Sequence, residues 1–449
     1  MPETATPTDL TKLARECGVI GAGGAGFPTY RKLESSLDIV IANGAECEPL
    51  LYKDQHLMEH YASDVVAGLL ALQQATGAGR AVIGIKAKNL AALAAVRSAI
   101  AGTKIEVSEL DDVYPAGDEV DLVHHVIGRQ IPTGGLPLEV GVVVNNVETL
   151  VNLHRAGRGE PVTHKLISVV GAVAEPRTFW VPVGVSYSQV LAFCGGATVP
   201  EVAIVDGGPM MGRVSLDLET PITKTCGGLI VLPADHHLVR RKTEPEQQYK
   251  RVGKSACDQC MLCTELCPRY LLGYPVQPHL VMRALEFSGP QSRELGRWAQ
   301  VCSECNICSL YACPEELNPR DMCRSAKQES ARTGENWDRP ELAALTGPAH
   351  PLRSYRQVPT KQLKRRLGLE EWDRDASLVE DKIIVDRVAL PLDQHLGVPA
   401  TPIVRVGDEV SAGDIIAKVE GDQLGAWLHA SIDGRITGIN GSIDIEVSR

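Results

Sequence analysis

The sequence predicts a multidomain protein of α/β plus α+β class. At 449 residues the chain is too long for a single hydrophobic core, and its length suggests roughly three or four domains. Strand-like and helix-like patterns alternate over residues 38–110, which is typical of a parallel sheet flanked by helices. Nine of the 13 cysteines fall between Cys257 and Cys323, so we expect this part of the chain to form a separate domain.

The predicted α/β domain covers residues 1–160 and carries a glycine-rich loop near its start. A helix is expected over residues 10–20, and the loop GAGGAGFPT follows at residues 21–29. Glycines at these points let backbone amides converge on an anion such as a phosphate. Because no strand precedes the loop, the sequence lacks a dinucleotide-binding fingerprint, and a tight turn without a ligand stays an alternative.

Acidic residues follow the first predicted strand of this domain. Residues 38–42 (DIVIA) predict a buried strand that opens onto NGAECEP, which puts Glu46 and Glu48 at its carboxyl end. Open α/β sheets bind ligands at that edge. The pattern then predicts helices at residues 65–74 and 90–101 and strands at residues 81–86 and 104–110. These segments would complete the sheet and place a candidate ligand site beside the glycine loop.

Two cysteine tetrads, each ending in Cys-Pro, lie in a predicted domain over residues 245–335. They are Cys257, Cys260, Cys263 and Cys267, followed by Cys302, Cys305, Cys308 and Cys313. The first has the spacing of bacterial ferredoxins, and the second has one extra residue before its last cysteine. In two-cluster ferredoxins the fourth thiolate of each run ligates the other cluster. This rule predicts two [4Fe–4S] clusters with mixed ligands, namely Cys257, Cys260, Cys263 with Cys313, and Cys302, Cys305, Cys308 with Cys267.

Two tetrahedral zinc sites would use the same thiolates and stay an alternative. Zinc ribbons, however, separate two Cys-x-x-Cys pairs, whereas three close cysteines precede each Cys-Pro in this sequence. The spacing therefore favours iron–sulfur clusters and the transfer of single electrons.

Composition and charge argue against several kinds of partner. The net charge is −11 and Lys and Arg are scattered, which argues against nucleic acid. No stretch approaches the ~18 consecutive apolar residues that span a bilayer, and the start MPETATPTDL lacks a signal-peptide pattern. In such a chain, clustered cysteines favour metal ligation over disulfides. We therefore expect a cytoplasmic protein with no transmembrane segment.

Three further segments complete the predicted organisation. Residues 161–235 alternate short β-type runs with Gly and Pro, which suits a small mixed fold. Residues 336–380 are charged and contain Pro, and they predict a linker with short helices. Residues 381–449 are rich in β-type runs, with Gly407-Asp408 and Gly413-Asp414 as hairpin turns.

The motifs resemble those of three related families of redox proteins. GAGGAGFPT, NGAECEP, YPAGDE and NNVETL occur in the order seen in the flavin-bearing, NADH-oxidising subunit of respiratory complex I. Residues 114–147 are more similar to the C subunit of the Rnf electron-transport complex and to the cobalamin reductases of propanediol-utilisation microcompartments. The C-terminal β-rich module resembles a barrel that is N-terminal in the Rnf subunit. Its position here resembles the order found in the cobalamin reductase family.

The resemblance implies four domains and the location of the cofactors. The domains would be a Rossmann-like FMN domain, a β-grasp (SLBB) domain, a helical two-cluster ferredoxin domain and a C-terminal barrel-sandwich hybrid. The hybrid resembles a lipoyl domain but has no lysine at residues 421–424 to carry lipoate. Glu48 and Glu119 would lie near the nicotinamide nucleotide. The implied FMN contacts are Gly23, Gly24, Gly26, Phe27, Lys32, Asn43, Glu46, Asn145, Asn146 and Thr149.

The resemblance also implies a function. NADH would reduce FMN, and electrons would pass through two [4Fe–4S] clusters to cobalamin, regenerating B12 for a diol dehydratase. The implied partners are a corrinoid or a corrinoid adenosyltransferase, and shell or lumen proteins of a bacterial microcompartment that would enclose the protein. Two alternatives stay open: an Rnf-like NADH dehydrogenase module that serves ferredoxin, a quinone or another microcompartment partner, and a zinc-bound assembly module without enzymatic activity.

Overall fold

The N-terminal domain is a parallel sheet covered by helices on both faces. The computed structural model describes residues 7–381 and 383–448. The elements of this domain are α1 (Pro7–Glu16), α2 (Tyr30–Leu33), β1 (Ile39–Gly44), α3 (Lys53–His60), α4 (Ala62–Thr76), β2 (Arg80–Lys86), α5 (Leu90–Ala99), β3 (Glu106–Leu110), β4 (Val113–Tyr114), α6 (Glu119–Ile127), a 3₁₀ turn (Pro137–Val140), β5 (Val142–Asn146) and α7 (Val147–Ala156). The sheet has the order β3-β2-β1-β5 with all neighbours parallel.

Strands β1, β2 and β5 are buried on both faces, which explains why they are nearly continuous apolar runs, whereas the edge strand β3 (EVSEL) is partly exposed. In β1, Val40 and Ala42 pack into the core under α1, α4, α5 and α7, whereas Ile39 and Ile41 pack into the core under α6. The strands and helices lie close to their predicted positions. The helix predicted over residues 10–20 ends earlier, because Gly18 takes a left-handed φ of +69°.

The β-grasp domain follows as a five-stranded mixed sheet. Its elements are β6 (His164–Gly171), β7 (Arg177–Pro182), α8 (Tyr187–Phe193), β8 (Val202–Asp206), β9 (Arg213–Ser215) and β10 (Gly228–Pro233). The strand order is β7-β6-β10-β8-β9, and only the β6–β10 pair is parallel. One face of this sheet shares a hydrophobic core with the C-terminal module, because Phe179 and Val231 belong to the same cluster as Leu428 and Ile436.

The cysteine-rich region is built from short helices. They are α9 (His237–Lys242), α10 (Glu246–Ala256), α11 (Leu262–Glu265), α12 (Pro268–Leu271), α13 (Pro278–Arg283), a 3₁₀ turn (Ala284–Glu286), α14 (Pro290–Gly296), a 3₁₀ turn (Arg297–Ala299), a π-helical turn (Cys308–Ala312), α15 (Pro319–Thr333) and α16 (Arg339–Leu345). Each tetrad ends in a Cys-Pro step. After the first tetrad, Pro268 starts α12.

The segment between this domain and the C-terminal module packs on the rest of the molecule. It contains a 3₁₀ turn (Arg353–Tyr355), β11 (Val358–Pro359), α17 (Thr360–Arg366) and a 3₁₀ turn (Glu370–Trp372). β11 pairs with β4 of the N-terminal domain, and Leu378 forms a bridge with Thr178 of β7. We call residues 353–379 the strap, because they connect three domains along the surface.

The C-terminal module consists of two antiparallel sheets. Its strands are β12 (Arg387–Pro391), β13 (Thr401–Pro402), β14 (Glu409–Val410), β15 (Ile415–Lys418), β16 (Leu428–His429), β17 (Gly434–Ile439) and β18 (Ser442–Glu446). The sheets have the orders β12-β18-β17-β14 and β13-β15-β16. The module also reaches the N-terminal domain, since the backbone N–H of Leu396 donates to the carbonyl of Gly26 over 3.0 Å. Within the described ranges, no helix has the length and apolar character needed to cross a membrane.

Candidate functional site

The first candidate site lies at the carboxyl ends of β1 and β5. β1 pairs with β2 on one side and with β5 on the other, so its carboxyl end is a topological switch point of the sheet. Ligands of open α/β sheets bind at such points. The glycine loop borders this edge, because the backbone N–H of Ala22 donates to Thr149 Oγ1 over 2.9 Å.

Two glycines of the loop have different surroundings. Gly24 has a φ of +110°, and a Cβ built there would meet no heavy atom within 4 Å. A Cβ at Gly26 would lie 3.0 Å from Thr225 Cγ2 and 3.2 Å from the carbonyl oxygen of Gln394. Gly24 therefore leaves space for a ligand to approach the backbone, whereas Gly26 allows the neighbouring domains to pack closely.

Two buried polar atoms near this edge lack a hydrogen-bond partner in the structure. They are Asn145 Nδ2, in a residue that is 3% exposed, and Thr29 Oγ1, in a residue that is 1% exposed. Nearly all buried polar groups in proteins are paired. An amide donor and a hydroxyl beside a glycine loop fit the polar groups of a flavin nucleotide.

Lys32 and Glu119 face each other at the rim of the site. Lys32 Nζ donates to the carbonyl of Val144 over 2.6 Å and lies 3.4 Å from Glu119 Oε1. It also lies 5.9 Å from the centre of the Phe27 ring. The structure thus brings together three of the residues predicted to bind FMN or the nicotinamide nucleotide, with a cation available for a phosphate.

Asn43 and Glu46 bond to protein backbone. Asn43 Nδ2 donates to the carbonyl of Gly117 over 2.8 Å. The Glu46 carboxylate accepts the backbone N–H groups of Asp54 and Gln55, each over 2.9 Å. Burial, with the nearby Asp54 carboxylate, raises the pKa of Glu46 to about 7. Glu46 therefore fixes the start of α3 and can hold or release a proton near neutral pH.

Glu48 contacts the β-grasp domain. Its carboxylate accepts the backbone N–H groups of Met210 and Met211 over 2.8 and 2.9 Å. A Cβ at Gly208 would lie 2.6 Å from Glu48 Oε2, so glycine is needed for this close approach. Burial raises the pKa of Glu48 to about 7. The carboxylate thus joins two domains, and its role near the nicotinamide nucleotide stays a prediction.

A buried charge network beneath the glycine loop was not predicted from the sequence. Lys165 contacts the Glu148 carboxylate and donates to the carbonyl of Ala22 over 3.2 Å. Lys53 Nζ lies 3.1 Å from Glu148 Oε2 and also pairs with Asp54. Although burial alone would raise the pKa of Glu148, the two lysines hold it below its usual value. The sequence signal was Glu148 itself, which lies inside the NNVETL motif.

The network also reaches a predicted FMN contact. Asn146 Nδ2 donates to Asp54 Oδ2 over 2.7 Å, and its Oδ1 caps α7 by accepting from the backbone N–H of Glu148. A Cβ at Gly23 would lie 3.4 Å from Asn146 Cβ. The charged groups therefore stabilise the loop, β5 and α3 as one frame.

The second candidate site is formed by the cysteines, which lie in two groups. One cavity is lined by Cys257, Cys260, Cys263 and Cys313. In the other group, burial and the neighbouring Cys302 thiol raise the pKa of Cys267 to about 12, and burial with Cys267 nearby raises the pKa of Cys305. The last cysteine of each run thus lies with the first three of the other run. This is the arrangement that the mixed ligand sets require.

The two runs share an unusual backbone conformation. Gln259 and Met261, on either side of Cys260, have φ values of +60° and +67°. Glu304 and Asn306, on either side of Cys305, have φ values of +58° and +69°. Residues other than glycine adopt this region mainly where the surrounding structure imposes it, and such residues concentrate at functional sites.

The spacing of the thiols does not favour single zinc ions. Four sulfurs bound to zinc at about 2.3 Å lie roughly 3.8 Å from one another. A set of three or more ligand side chains can share one metal ion where the ligand atoms all lie within 4.8 Å of one another. Among the described residues, one set meets this condition, and it contains no cysteine. No three thiols of the tetrads therefore lie as close together in the structure as the ligands of one zinc ion.

Three contacts reach the group that contains Cys267 from the carboxyl edge of the N-terminal sheet and the neighbouring residues 114–119, which we call the flavin edge because the sequence predicts FMN there. Arg269, two residues after Cys267, forms a two-pronged ion pair with Asp118 at 2.6 and 2.9 Å. The Tyr114 hydroxyl donates to the carbonyl of Cys305 over 2.8 Å. Asn306 Nδ2 donates to the carbonyl of Met210, in the loop that holds Glu48. No local sequence pattern signals these contacts, since they join residues far apart in the chain.

The two cysteine groups differ in exposure. Cys267, Cys302, Cys305 and Cys308 are all buried. In the other group, Cys260 is exposed, and the adjacent Met261 and Leu262 are 39% and 38% exposed. One group therefore contacts the flavin edge, and the other reaches the surface.

Family models match four consecutive parts of the chain. A Nuo51 FMN-binding domain matches residues 14–155, an SLBB domain residues 166–214, a 4Fe-4S dicluster domain residues 256–318 and an RnfC barrel sandwich hybrid domain residues 374–448. These matches confirm the predicted fold class. They also support FMN and iron–sulfur clusters as the cofactors.

A further relative and one solved structure are similar to large parts of this chain. The C subunit of a sodium-translocating ferredoxin:NAD⁺ oxidoreductase complex of Acetobacterium woodii is 33% identical over 58% of this chain and 58% of the relative. An NAD⁺-reducing [NiFe]-hydrogenase in the H₂-reduced state matches with a TM-score of 0.50 and 22% identity, covering 82% of this chain and 67% of that chain. At that identity the hydrogenase supports the fold alone.

Two cobalamin reductases match nearly the whole chain. Cobalamin reductase PduS of Salmonella typhimurium is 42% identical over 96% of this chain and 95% of the relative. The PduS protein of Citrobacter freundii is also 42% identical, over 96% of this chain and 94% of the relative. With its FMN-binding and 4Fe-4S dicluster domains, the protein is an oxidoreductase that combines flavin and iron–sulfur electron transfer, and it belongs to the cobalamin reductase PduS family.

Proposed function

We propose that the protein passes electrons from NADH through FMN and two [4Fe–4S] clusters to cobalamin, and so regenerates B12 for a diol dehydratase. The observation that carries this proposal is the direct contact between the flavin edge and one cysteine group through Asp118–Arg269 and Tyr114–Cys305. When bound, a flavin converts two-electron chemistry into single-electron steps, which are the steps that iron–sulfur clusters carry.

The FMN contacts proposed from the sequence divide into groups with different tasks. Gly24 leaves space for the cofactor, and Gly26 lets the C-terminal module close over the loop. Asn145 offers an unpaired donor, and Lys32 offers a cation for phosphate. Gly23, Phe27, Asn43, Glu46, Asn146 and Thr149 shape the surrounding edge. We keep Glu119 as a contact of the nicotinamide nucleotide, because its carboxylate faces Lys32 at the rim.

The buried cysteine group would form the cluster nearer to the flavin. Its ligands would be Cys302, Cys305, Cys308 and Cys267. The contact through Tyr114 ends on the backbone of Cys305, and the contact through Arg269 ends two residues from Cys267. Electrons from the flavin edge would therefore enter at this cluster.

The partly exposed group would form the cluster that delivers electrons to the acceptor. Its ligands would be Cys257, Cys260, Cys263 and Cys313, which line one cavity. Burial and neighbouring thiols raise the pKa of Cys308, and Cys263 of this group is among those neighbours, so the two groups lie side by side. Exposure of Cys260 makes this group accessible to a corrinoid or to a corrinoid adenosyltransferase.

Enclosure in a propanediol-utilisation microcompartment is part of the proposal. It rests on membership of the PduS family and implies shell or lumen proteins as neighbours. Tagged protein should sediment with purified microcompartments and resist added protease until the shells are opened. Recovery only in the soluble fraction would reject enclosure without affecting the redox proposal.

Anaerobic purification followed by NADH titration tests the redox proposal. We expect one FMN and about eight irons per chain, as two [4Fe–4S] clusters require, and bleaching of visible absorption when NADH is added. Steady-state assays would then compare cob(III)alamin, ferredoxin and a quinone as acceptors, with and without a corrinoid adenosyltransferase. Reduction of ferredoxin or quinone but of no corrinoid would favour the Rnf-like alternative. A colourless protein that contains zinc would reject electron transfer.

A further inference from the structure

Helix α3 carries a cluster of metal-binding side chains that lies outside the flavin and cysteine sites. The cluster consists of His56, Glu59 and His60, whose potential ligand atoms all lie within 4.8 Å of one another. The spacing i, i+3 and i+4 places the three side chains on one face of a helix. His56 is buried, Glu59 is partly exposed and His60 is exposed.

The surroundings of His56 fix which ring nitrogen is available. Its Nε2 lies 3.0 Å from the carbonyl oxygen of Ala376 in the strap, and a carbonyl can only accept. Nε2 therefore carries the proton, and Nδ1 keeps a lone pair. Nδ1 is buried, has no hydrogen-bond partner and lies 3.7 Å from Glu59 Oε2.

This geometry is the usual environment of a metal-binding histidine. Such residues donate their second ring N–H to a backbone carbonyl or a carboxylate, which orients the ring and makes the free nitrogen a better ligand. The Ala376 carbonyl is itself held, since it also accepts from Thr178 Oγ1 over 2.8 Å. His56 is only 8% exposed, and its unpaired Nδ1 lies 3.7 Å from the Glu59 carboxylate. The ring is thus placed to bind a cation between the two groups.

We propose that His56 Nδ1, Glu59 and His60 bind a divalent transition-metal ion of the zinc class. Two imidazoles and one carboxylate form the ligand set of many zinc sites that keep a fourth position open for water. Zinc ligands lie about 2.0–2.2 Å from the metal, so the donor atoms must move closer together. His60 is exposed and Glu59 is partly exposed, so their side chains have room to approach a common ion. The position at the end of α3 adds a favourable helix dipole for a cation.

The proposed ion would brace the last turn of α3, where His56 already contacts the strap through the Ala376 carbonyl. The first turn of α3 bonds to Glu46 at the flavin edge, and its last turn would be held by the metal. Through Ala376 the metal site also connects to β7 of the β-grasp domain. The proposal is independent of the electron route, because none of its three residues contacts the cysteine groups in the described interactions.

Zinc binding by the intact holoprotein tests the proposal. Anaerobic holoprotein would be dialysed against ZnCl₂ and desalted, and zinc and iron would be measured together. We expect one zinc ion per chain in addition to the full iron content. His60→Ala and Glu59→Gln should each weaken Zn²⁺ binding at least tenfold without lowering iron. Zinc K-edge absorption should show only nitrogen and oxygen ligands at about 2.0–2.2 Å.

A matched control separates this site from other histidines. His125→Ala removes an exposed helical histidine of α6 and should bind zinc like the wild type. Equal zinc binding by His60→Ala and wild type would overturn the proposal. So would a sulfur shell at about 2.3 Å, because zinc would then occupy the cysteine sites.

Discussion

His429 is a buried titratable residue of the C-terminal module. Burial, with Lys224 nearby, lowers its pKa from 6.5 to about 3. In the unfolded chain His429 takes up a proton below about pH 6.5, whereas in the native state it stays neutral. The stability that the neutral residue contributes is therefore present above pH 6.5 and is lost as the pH falls from 6.5 towards 3. Between pH 7.5 and 5.5 we expect the wild type to lose about 1.4 kcal/mol through this residue.

His429→Gln removes the titration and keeps an N–H donor. Between pH 7.5 and 5.5 we expect the free energy of unfolding of the variant to fall by about 1.4 kcal/mol less than that of the wild type. Urea unfolding at each pH measures both values. Both proteins should show equal slopes above pH 7.5. Parallel profiles across the whole range would show that His429 is not a source of acid sensitivity.

Cys267 tests the mixed ligand sets. Cys267→Ser should damage the cluster proposed for Cys302, Cys305 and Cys308, because Cys267 lies with that group. Cys313→Ser should damage the other cluster, and the two variants therefore control for each other. Iron content and the EPR signals of the reduced proteins would identify which cluster remains. The reverse assignment would reject crossed ligation.

The chemistry of single residues was predictable where a local motif carries it. The cysteine spacing predicts the two groups, because it matches the two-cluster ferredoxin pattern in which the fourth thiolate of each run ligates the other cluster. Glu48 shows the opposite case. Its motif predicted a position near the nucleotide, but the contact that the structure gives it is with Met210 and Met211, more than 160 residues away in sequence.

Helix α12 docks on the first turn of α6 through one ion pair. Arg269 and Asp118 have side-chain exposures of only 13% and 16%, and Asp118 also caps α6. Removing one partner of a buried pair costs about 3–5 kcal/mol, because the other charge remains buried. Arg269→Met should therefore destabilise the docking of the two domains and slow reduction of the clusters by NADH.

The double variant isolates this interaction. Arg269→Met with Asp118→Asn should recover part of the loss, since the amide oxygen can still cap α6 and no charge stays unpaired. Arg293→Met is a matched control, because its ion pair with Glu335 is about 40% exposed and should contribute less than about 1 kcal/mol. Equal effects of the two single variants on urea unfolding would contradict the argument.

Hydrophobic periodicity located most elements of the N-terminal domain, because a buried parallel sheet gives long local apolar runs. It was less successful where a single residue ends a helix. The helix predicted over residues 10–20 ends at Glu16, because Gly18 takes a left-handed φ of +69°. The pairing of β11 with β4 could not be predicted, since two-residue strands leave no periodic signal.

The C-terminal module closes over the N-terminal part of the chain. The carbonyl of Gly26 accepts the N–H of Leu396, and Arg31 donates to the carbonyl of Asp422. Lys224 of the β-grasp domain adds a third contact by donating to the carbonyls of Gly18 and Trp427. The glycine loop is thus enclosed by three domains, and its conformation depends on residues at both ends of the sequence.

Gly26→Ala tests this dependence, with Gly128→Ala as its control. Gly26 and Gly128 have similar φ values of +65° and +70°, so alanine costs about 1–2 kcal/mol of backbone strain at either position. A Cβ at Gly128 would meet nothing within 4 Å, whereas one at Gly26 would press on the backbone of Gln394 and His395 at 3.2 Å. Such overpacking adds about 1–3 kcal/mol. We expect Gly26→Ala to retain less FMN per chain than Gly128→Ala after gel filtration. Equal retention would mean that the C-terminal module does not support the flavin site.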